Sequence, residues 1–294
     1  MIKYSAPFII AEIGCNHKGD FETAKELIKL AKDCDATIAK FQKRNPKELL
    51  SEEQYNAPHP VPYNSYGDTY GAHREFLEFN QEQHAELKKY AESIGIEYST
   101  SVWDVTSAKE MVAFKPKMLK VPSACNNHFE MLKVLRDEYK GMVHVSFGMT
   151  THEEEEALVQ FFEATGQAKD RLIIYNCTSG YPVPFEDICL LEINRLREAY
   201  EDRVHAIGFS GHHLGIAVDV AAYALGACYI ERHFTKDRTW RGTDHAASLE
   251  PAGMRKLVRN LKATHQALTY KPKQVLDIED VQRQKLKFKT TVNS

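Results

Sequence analysis

The sequence has no long hydrophobic run, few cysteines and no excess of charge of either sign. No stretch approaches the length of a membrane span, and the start, MIKYSAPFIIAEIG, lacks both an uninterrupted apolar core and a signal-peptide cleavage site. The 38 basic and 41 acidic side chains nearly cancel, which is untypical of proteins that bind nucleic acid or membrane surfaces through phosphate groups. We therefore expect a cytoplasmic protein without nucleic-acid or membrane partners.

The six cysteines are scattered and include no Cys-x-x-Cys pair. This spacing argues against a structural zinc site and against a disulfide framework, so we expect reduced thiols. Apolar residues make up 43% of the chain and charged residues 27%, as in an ordinary globular protein. With 294 residues, the chain has room for one barrel-sized domain or for two smaller ones.

Short β-branched runs alternate with amphipathic helical stretches, which predicts parallel strands joined by crossover helices. Eight such units over about 260 residues favour an α/β fold of the (β/α)8 TIM-barrel type over a doubly wound open sheet. The predicted strands are Phe8–Gly14, Thr37–Gln42, Glu97–Val102, Lys117–Ser123, Met142–Gly148, Leu172–Cys177, His205–Ser210 and Cys228–Phe234. We assign residues 1–270 to the barrel and 271–294 to a short basic tail, which is either a solvated extension or a segment that docks a partner.

One connection, Lys43 to Gln81, is far longer than the others and rich in proline and tyrosine. Connections of this length are usually functional or disordered. Because it follows the second predicted strand, at the face where barrel enzymes hold their sites, we expect this loop or a neighbouring subunit to close over bound substrate. A disordered insertion is the alternative.

All eight predicted strands end in polar or charged residues, where a barrel enzyme carries its chemistry. His212 and His233 come from adjacent strands, and two imidazoles suit a divalent transition ion with open positions for water or substrate. Glu231 or Asp244 would supply a nearby carboxylate. Histidines that are hydrogen-bonded within a polar mouth are the alternative.

Two lysines, Lys40 and Lys120, lie on predicted strands two apart among serine and threonine hydroxyls. Unpaired lysines inside a barrel mouth are costly, so a bound phosphate or carboxylate would explain them. Internal pairing with Glu12 or Glu231 is the alternative.

Several strings stand out in order along the chain, namely FIIAEIGCNHKGD, AKFQ, YSTSVWD, LKVPSACNNHFEML, SFGM, CTSGYPVPFED, IGFSGHHLG and IERHFTKDRTWRGTDHAASLEP. Together they resemble the sialic acid synthase family, which condenses phosphoenolpyruvate with N-acetylmannosamine or related amino sugars. The likeness extends from Phe8 to Pro251. It is specific for the family and much less specific for the sugar.

The resemblance implies that His212 and His233 bind a divalent ion, Mn²⁺ or Mg²⁺, and that Glu231 acts through a water bound to that ion. The implied phosphoenolpyruvate contacts are Lys40, Thr100, Lys120, Ser123, Ser146 and Ser210. The implied sugar contacts are Glu12, Gln42, Tyr181 and Asp244, with Ser179 at a position where many members carry asparagine. Of these residues, we expect catalytic roles for Glu12, Lys120, Glu231 and Asp244.

The expected reaction joins phosphoenolpyruvate to N-acetylmannosamine or a related amino sugar, giving a nonulosonic acid and phosphate. The alternatives are condensation with a neutral or phosphorylated sugar that lacks the acetamido group, and an inactive barrel that only binds. Many members continue into an antifreeze-like domain whose arginine contacts the acetamido group of the sugar. The resemblance ends before that domain, so we expect a barrel without this cap.

Overall fold

The computed structural model describes residues 4–288 and has a closed barrel of eight parallel strands, hydrogen-bonded in chain order. The strands are β1 (Phe8–Gly14), β2 (Ile38–Lys43), β3 (Glu97–Val102), β4 (Met118–Val121), β5 (Met142–Ser146), β6 (Leu172–Cys177), β7 (Ala206–Gly211) and β8 (Tyr229–His233). This confirms the (β/α)8 TIM barrel, and every strand end lies within two residues of its prediction.

Helices follow the strands and form the outer layer. They are α1 (Phe21–Asp33), α2 (Pro46–Leu49), α3 (Glu52–Asn56), α4 (Tyr70–Leu77), α5 (Gln81–Ser93), α6 (Val105–Ala113), α7 (Phe129–Asp137), α8 (His152–Glu163), α9 (Ala168–Arg171), α10 (Glu192–Tyr200), α11 (Ala217–Ala224), α12 (Pro251–Ala267) and α13 (Asp277–Leu286). Several begin at a side-chain cap, because Asp20, Asn80 and Thr151 each accept a hydrogen bond from a backbone N–H of the first turn.

Alternate residues along each strand face either the helices or the barrel interior. The helix-facing set, which includes Phe41, Leu119 and Ile174, belongs to the large core between strands and helices. A smaller apolar cluster fills the amino-terminal half of the interior and consists of Ile10, Ile38, Met118, Ile173, Tyr175 and Tyr229.

Strand register brings polar residues together in the other half of the interior. Glu12 on β1 is in register with Lys40 on β2 and with His233 on β8. Ser210 on β7 is in register with Glu231 on β8. These residues come from distant parts of the chain, and the closure of the barrel makes them neighbours.

The long connection between β2 and α5 is ordered and contains α2, α3 and α4. Tyr66 and Tyr70 pack against His73 within the connection, and the hydroxyl of Tyr66 donates to the carbonyl of Arg241, in the segment after β8, at 2.6 Å. The structure therefore does not show the disordered insertion that was the alternative prediction for this segment.

The basic tail contains α13, a helix that we did not predict. Its apolar side chains are largely exposed, with Ile278 at 82% and Leu286 at 78%. Residues 289–294 of the predicted tail lie outside the described residues. Among residues 4–288 no helix is long and apolar enough to cross a bilayer. All six cysteines are free thiols, as predicted.

Candidate active site

A cavity of about 320 Å³ opens at the carboxyl ends of the strands. Most of the residues that we predicted for the site line it. These are Glu12, Lys40, Gln42, Lys120, Ser123, Ser146, Ser179, Tyr181, Ser210, His212, Glu231 and His233. Each comes from the inner face of a strand or from the loop that follows it, and the closed barrel brings them together.

Four buried side chains of alternating charge form the floor of this cavity, and we call Glu12, Lys40, Lys120 and Glu231 the charged layer. The ammonium of Lys40 lies 2.5 Å from Oε2 of Glu12, and that of Lys120 donates to Oε1 of Glu231 at 2.9 Å. The internal pairing that was the alternative prediction for the two lysines is therefore present.

The two lysines differ in how many N–H donors they have left. The ammonium of Lys40 contacts Glu12, donates to Ser101 at 2.8 Å and lies 3.7 Å from Oε2 of Glu231. Lys120 has one carboxylate partner and lies 3.8 Å above the ring of Tyr175. An ammonium has three donors, and 3.7 Å is too long for a hydrogen bond, so both lysines retain a donor for a bound anion, Lys120 two and Lys40 one.

The pKa values of the two carboxylates in the charged layer shift in opposite directions. Burial raises the pKa of Glu12, and the opposing charge of Lys40 does not cancel this rise. Burial alone would also raise the pKa of Glu231, but the charges of Lys120 and Lys40 outweigh it and lower that pKa to about 2. Glu12 is thus suited to carry a proton, and Glu231 remains an anion.

His212 and His233 lie side by side at the rim, with ring centroids 5.4 Å apart. Nδ1 of His212 donates to the carbonyl of Thr178 at 2.9 Å, which leaves Nε2 as the lone-pair nitrogen. Nδ1 of His233 is buried without a hydrogen-bond partner, 3.8 Å from a carboxylate oxygen of Asp244. Burial lowers the pKa of His233 to about 4, with Asp244 opposing, so its imidazole is neutral at pH 7.

The donor set of this rim fits a divalent transition ion held by two imidazoles, with its other positions left to water or substrate. It does not amount to a complete protein cage, because residues 4–288 contain no cluster of three or more histidine, cysteine, aspartate or glutamate side chains arranged around one point. Asp244 lies just outside the cavity wall, and its side chain accepts from the hydroxyl of Thr243 at 2.9 Å.

Thr100 does not line the cavity. It is in register with Phe41 and Leu119, which face the helices, whereas the next residue, Ser101, lines the cavity and accepts from Lys40. On β3, Ser101 rather than Thr100 therefore presents its side chain to the cavity. The physical reason is the two-residue period of a strand, which turns neighbouring side chains to opposite faces.

Six cavity residues were absent from the predicted site, namely Ser101, Trp103, Pro122, Ala124, Met149 and Cys177. Cys177 could have been found from strand period, since it lies two residues beyond the inward-facing Tyr175 on β6. Burial would lower the pKa of His212, but the thiolate form of Cys177 beside the ring, the carbonyl of Thr178 and the charge of Glu231 together raise it. Trp103 and Met149 lie in loops, where no periodic signal marks them.

A glycine allows two serines to meet in the cavity wall. A Cβ atom on Gly148 would lie 2.5 Å from Oγ of Ser179 and 2.7 Å from Oγ of Ser123. The backbone N–H of Gly148 donates to Oγ of Ser123 at 3.0 Å. The loop after β5 therefore approaches the serines more closely than any residue with a side chain could.

Comparison with known proteins bears on this arrangement. A sequence model of the family described as "NeuB family" matches residues 27–273, which is most of the chain. The chain belongs to the NeuB family. The family resemblance that the sequence motifs indicate is thereby confirmed.

Named relatives of this NeuB-family chain are synthases of sialic-acid-type sugars. Human N-acetylneuraminate-9-phosphate synthase is 38% identical over 95% of this chain and 76% of its own length. N,N'-diacetyllegionaminic acid synthase of Campylobacter jejuni is 32% identical over 88% of this chain and 77% of its own. A crystal structure of sialic acid synthetase from Leptospira borgpetersenii, in complex with citrate, superposes with a TM-score of 0.80 at 28% identity, covering 97% and 94% of the two chains. These relatives support an enzyme of nonulosonic acid synthesis.

Proposed function

We propose that this NeuB-family barrel condenses phosphoenolpyruvate with N-acetylmannosamine or a related amino sugar, releasing phosphate and a nonulosonic acid. The observation that carries the proposal is the charged layer, which lies beneath two rim histidines in one cavity. The charged layer provides an anion contact and a proton carrier, and the two histidines provide a pair of metal ligands in the same cavity. The names of the relatives support the sugar class.

The phosphoenolpyruvate would lie against Lys120 and the serine hydroxyls of the cavity wall. Lys120 has donors to spare, and Ser123 and Ser146 line the same wall. Charge-assisted hydrogen bonds from these groups would hold the phosphate and carboxylate and orient C3 toward the second substrate. Lys40 would hold Glu12 in place through their ion pair and offer its remaining donor to the same substrate.

The bond changes follow from the two substrates. C3 of phosphoenolpyruvate attacks the aldehyde carbon, which forms the carbon–carbon bond and leaves positive charge at C2. The aldehyde oxygen takes up a proton, for which Glu12 is the candidate donor because its pKa is raised. Water adds at C2 and returns one proton to Glu12. The bond between C2 and the bridging oxygen then breaks, and phosphate leaves with the second water proton, so a ketone remains. Glu231, anionic throughout, would stabilise the positive charge at C2.

His212 and His233 would hold a divalent ion, Mn²⁺ or Mg²⁺, which when bound supplies Lewis-acid polarisation of the aldehyde. Tyr181 lies over these histidines, with its ring centroid 4.4 Å from that of His212 and 5.8 Å from that of His233. This half-exposed ring offers an apolar face for the sugar at the mouth.

A second candidate acceptor is a phosphorylated amino sugar. The human relative is named for a 9-phosphate product, and three carbons added at the aldehyde turn C6 of a hexosamine into C9. The guanidinium of Arg74 donates to the hydroxyl of Tyr70, that of Arg241 lies 4.3 Å from the ring centroid of Tyr66, and neither makes an ion pair within residues 4–288. Either arginine would suit a terminal phosphate.

The test is phosphate release from phosphoenolpyruvate with Mn²⁺ or Mg²⁺ and one acceptor at a time. The panel holds N-acetylmannosamine, its 6-phosphate, mannose and a diacetamido hexose, with product mass as a second readout. We expect release with an acetamido sugar and a product three carbons longer. Release with none of the four would contradict the proposal, and preference for the 6-phosphate would select the second candidate.

A further inference from the structure

The side-chain amide of Gln42 is held between Glu12 and Arg44. Nε2 of Gln42 donates to Oε1 of Glu12 at 2.6 Å, and Oε1 of Gln42 accepts a hydrogen bond from Arg44. A guanidinium only donates, so the amide atom that faces Arg44 must be the oxygen, and the nitrogen must then face Glu12. The chemistry of Arg44 therefore decides which way the amide points.

Arg44 is itself immobilised. It is only 4% exposed, and its guanidinium donates to Oε1 of Glu78 at 3.0 Å, while its backbone N–H donates to the other oxygen of that carboxylate at 2.8 Å. The guanidinium lies 4.2 Å from the ring centroid of Trp103, a residue of the cavity wall. Glu78 directly follows α4, so the long connection is tied to the cavity through Arg44.

We propose that Arg44 is a positioning residue that locks the amide of Gln42 and so makes this position a hydrogen-bond donor to the sugar. With its oxygen turned to Arg44 and one N–H given to Glu12, Gln42 keeps one N–H for a ligand. The sugar group that meets it is then an acceptor, a hydroxyl or carbonyl oxygen. The inference rests on the proposed function only in naming a sugar as the ligand.

A double-mutant cycle tests whether Arg44 acts through Gln42. Arg44→Met keeps apolar bulk and removes the donors, and we expect the kcat/KM for the acceptor sugar to fall about 10- to 100-fold, as for a misplaced substrate contact. In a Gln42→Ala background, Arg44→Met should lower the kcat/KM for the acceptor sugar less than about twofold. Arg44→Lys, which can still donate to the amide oxygen, should recover much of the loss. Fully additive losses, or equal losses for Met and Lys, would overturn the proposal.

A second readout does not depend on activity. In protein labelled with ¹⁵N-glutamine, the Gln42 side-chain amide is identified by its absence in Gln42→Leu. We expect the amide proton that Gln42 donates to Glu12 to be protected from exchange with water in the parent and in Arg44→Lys, and unprotected in Arg44→Met. Unchanged protection in Arg44→Met would overturn the role of Arg44, whether or not the parent is active. Absence of turnover by the parent with every substrate would instead contradict the proposed function.

Arg171→Met is the matched control. Arg171 is also a buried arginine, but it donates to backbone carbonyls of Leu135, Arg136, Tyr139 and Gly141, away from the cavity. Its loss should lower the melting temperature and leave both the sugar KM and the Gln42 amide signal unchanged. This separates a positioning role from general destabilisation.

Discussion

The same strands form two halves of the barrel interior, one apolar and one charged. Its amino-terminal half contains Ile10, Ile38 and Met118, all buried and apolar. Two residues further along the same three strands are Glu12, Lys40 and Lys120 of the charged layer. Because residues two apart face the same side of a strand, both sets point inward, and only depth along the barrel separates them.

The two halves differ in what they contribute. Burying the apolar half stabilises the barrel without any need for partners. Burying the charged layer carries a desolvation cost that pairing only partly offsets, and apolar residues of similar size often give a more stable protein. Tyr175 marks the boundary, since its hydroxyl contacts Nδ1 of His144 at 2.6 Å while Lys120 lies over its ring. A charged layer at this depth therefore indicates chemistry rather than stability.

The largest effect that we expect is at the rim of the charged half. His233→Ala should lower kcat on the order of 10³-fold, because it removes one of two proposed ligands of an ion worth several kcal/mol to the reaction. Prolonged chelation of the parent should do the same, and added Mn²⁺ should restore the parent alone. His265→Ala, at a histidine bonded to Tyr223 outside the cavity, is the control. Full turnover by metal-stripped parent would remove the ion from the account.

The next effect concerns the apolar half. Ile173 is fully buried, so Ile173→Ala should lower the free energy of unfolding by about 2–5 kcal/mol, through lost burial and a residual cavity. The KM for phosphoenolpyruvate should stay unchanged, because the residue lies below the charged layer. Urea denaturation and steady-state kinetics on the same preparation check both parts. A raised KM without lost stability would break the division into two halves.

A smaller effect depends on pH. His84, on α5, is fully buried against the hydroxyl of Tyr98, and burial lowers its pKa to about 3. Protons then bind preferentially to the unfolded chain, so the contribution of this group is complete above pH 6.5 and is lost as pH falls below that value. Between pH 6.5 and 4.5 we expect it to cost about 2 kcal/mol.

His84→Phe should remove that part of the pH dependence. The free energy of unfolding, measured with urea at the two pH values, should fall by about 2 kcal/mol less in the variant than in the parent. Identical pH dependence in the two proteins would show that His84 does not titrate as its burial implies. The kcat of the variant should match that of the parent, because His84 lies outside the barrel interior.

The barrel was predictable because its strands carry their own signal. Runs such as Phe8–Gly14 and Leu172–Cys177 are short and β-branched, and the helices between them are amphipathic, so local pattern and global fold agree. Most residues of the candidate site were predictable for a related reason, because parallel strands of a barrel put their carboxyl ends at one face. The helix α13 was missed because its apolar residues have no core to pack against, and the tail reads as charged and solvated.

What the sequence left undecided depends on distances between strands. Whether Lys120 meets Glu231 or an external anion is set by barrel closure, which brings β4 and β8 across the interior. Thr100 and Ser101 are both hydroxyl residues at one strand end, and only the register shows which faces inward. The hydrogen bonds from Arg44 to Glu78 and to Gln42 join an irregular connection to a strand. Because the connection has no periodic pattern, the sequence did not indicate them.

The most direct test of the account is the affinity of phosphoenolpyruvate for the charged half, measured by titration calorimetry. Lys120→Gln removes the charge while keeping a donor for Glu231, and Ile173→Val changes the apolar half by one methyl group. We predict that Lys120→Gln weakens binding about 10- to 100-fold, as expected for losing a charge-assisted contact, and that Ile173→Val binds like the parent. Equal affinity in the parent and Lys120→Gln would contradict the account.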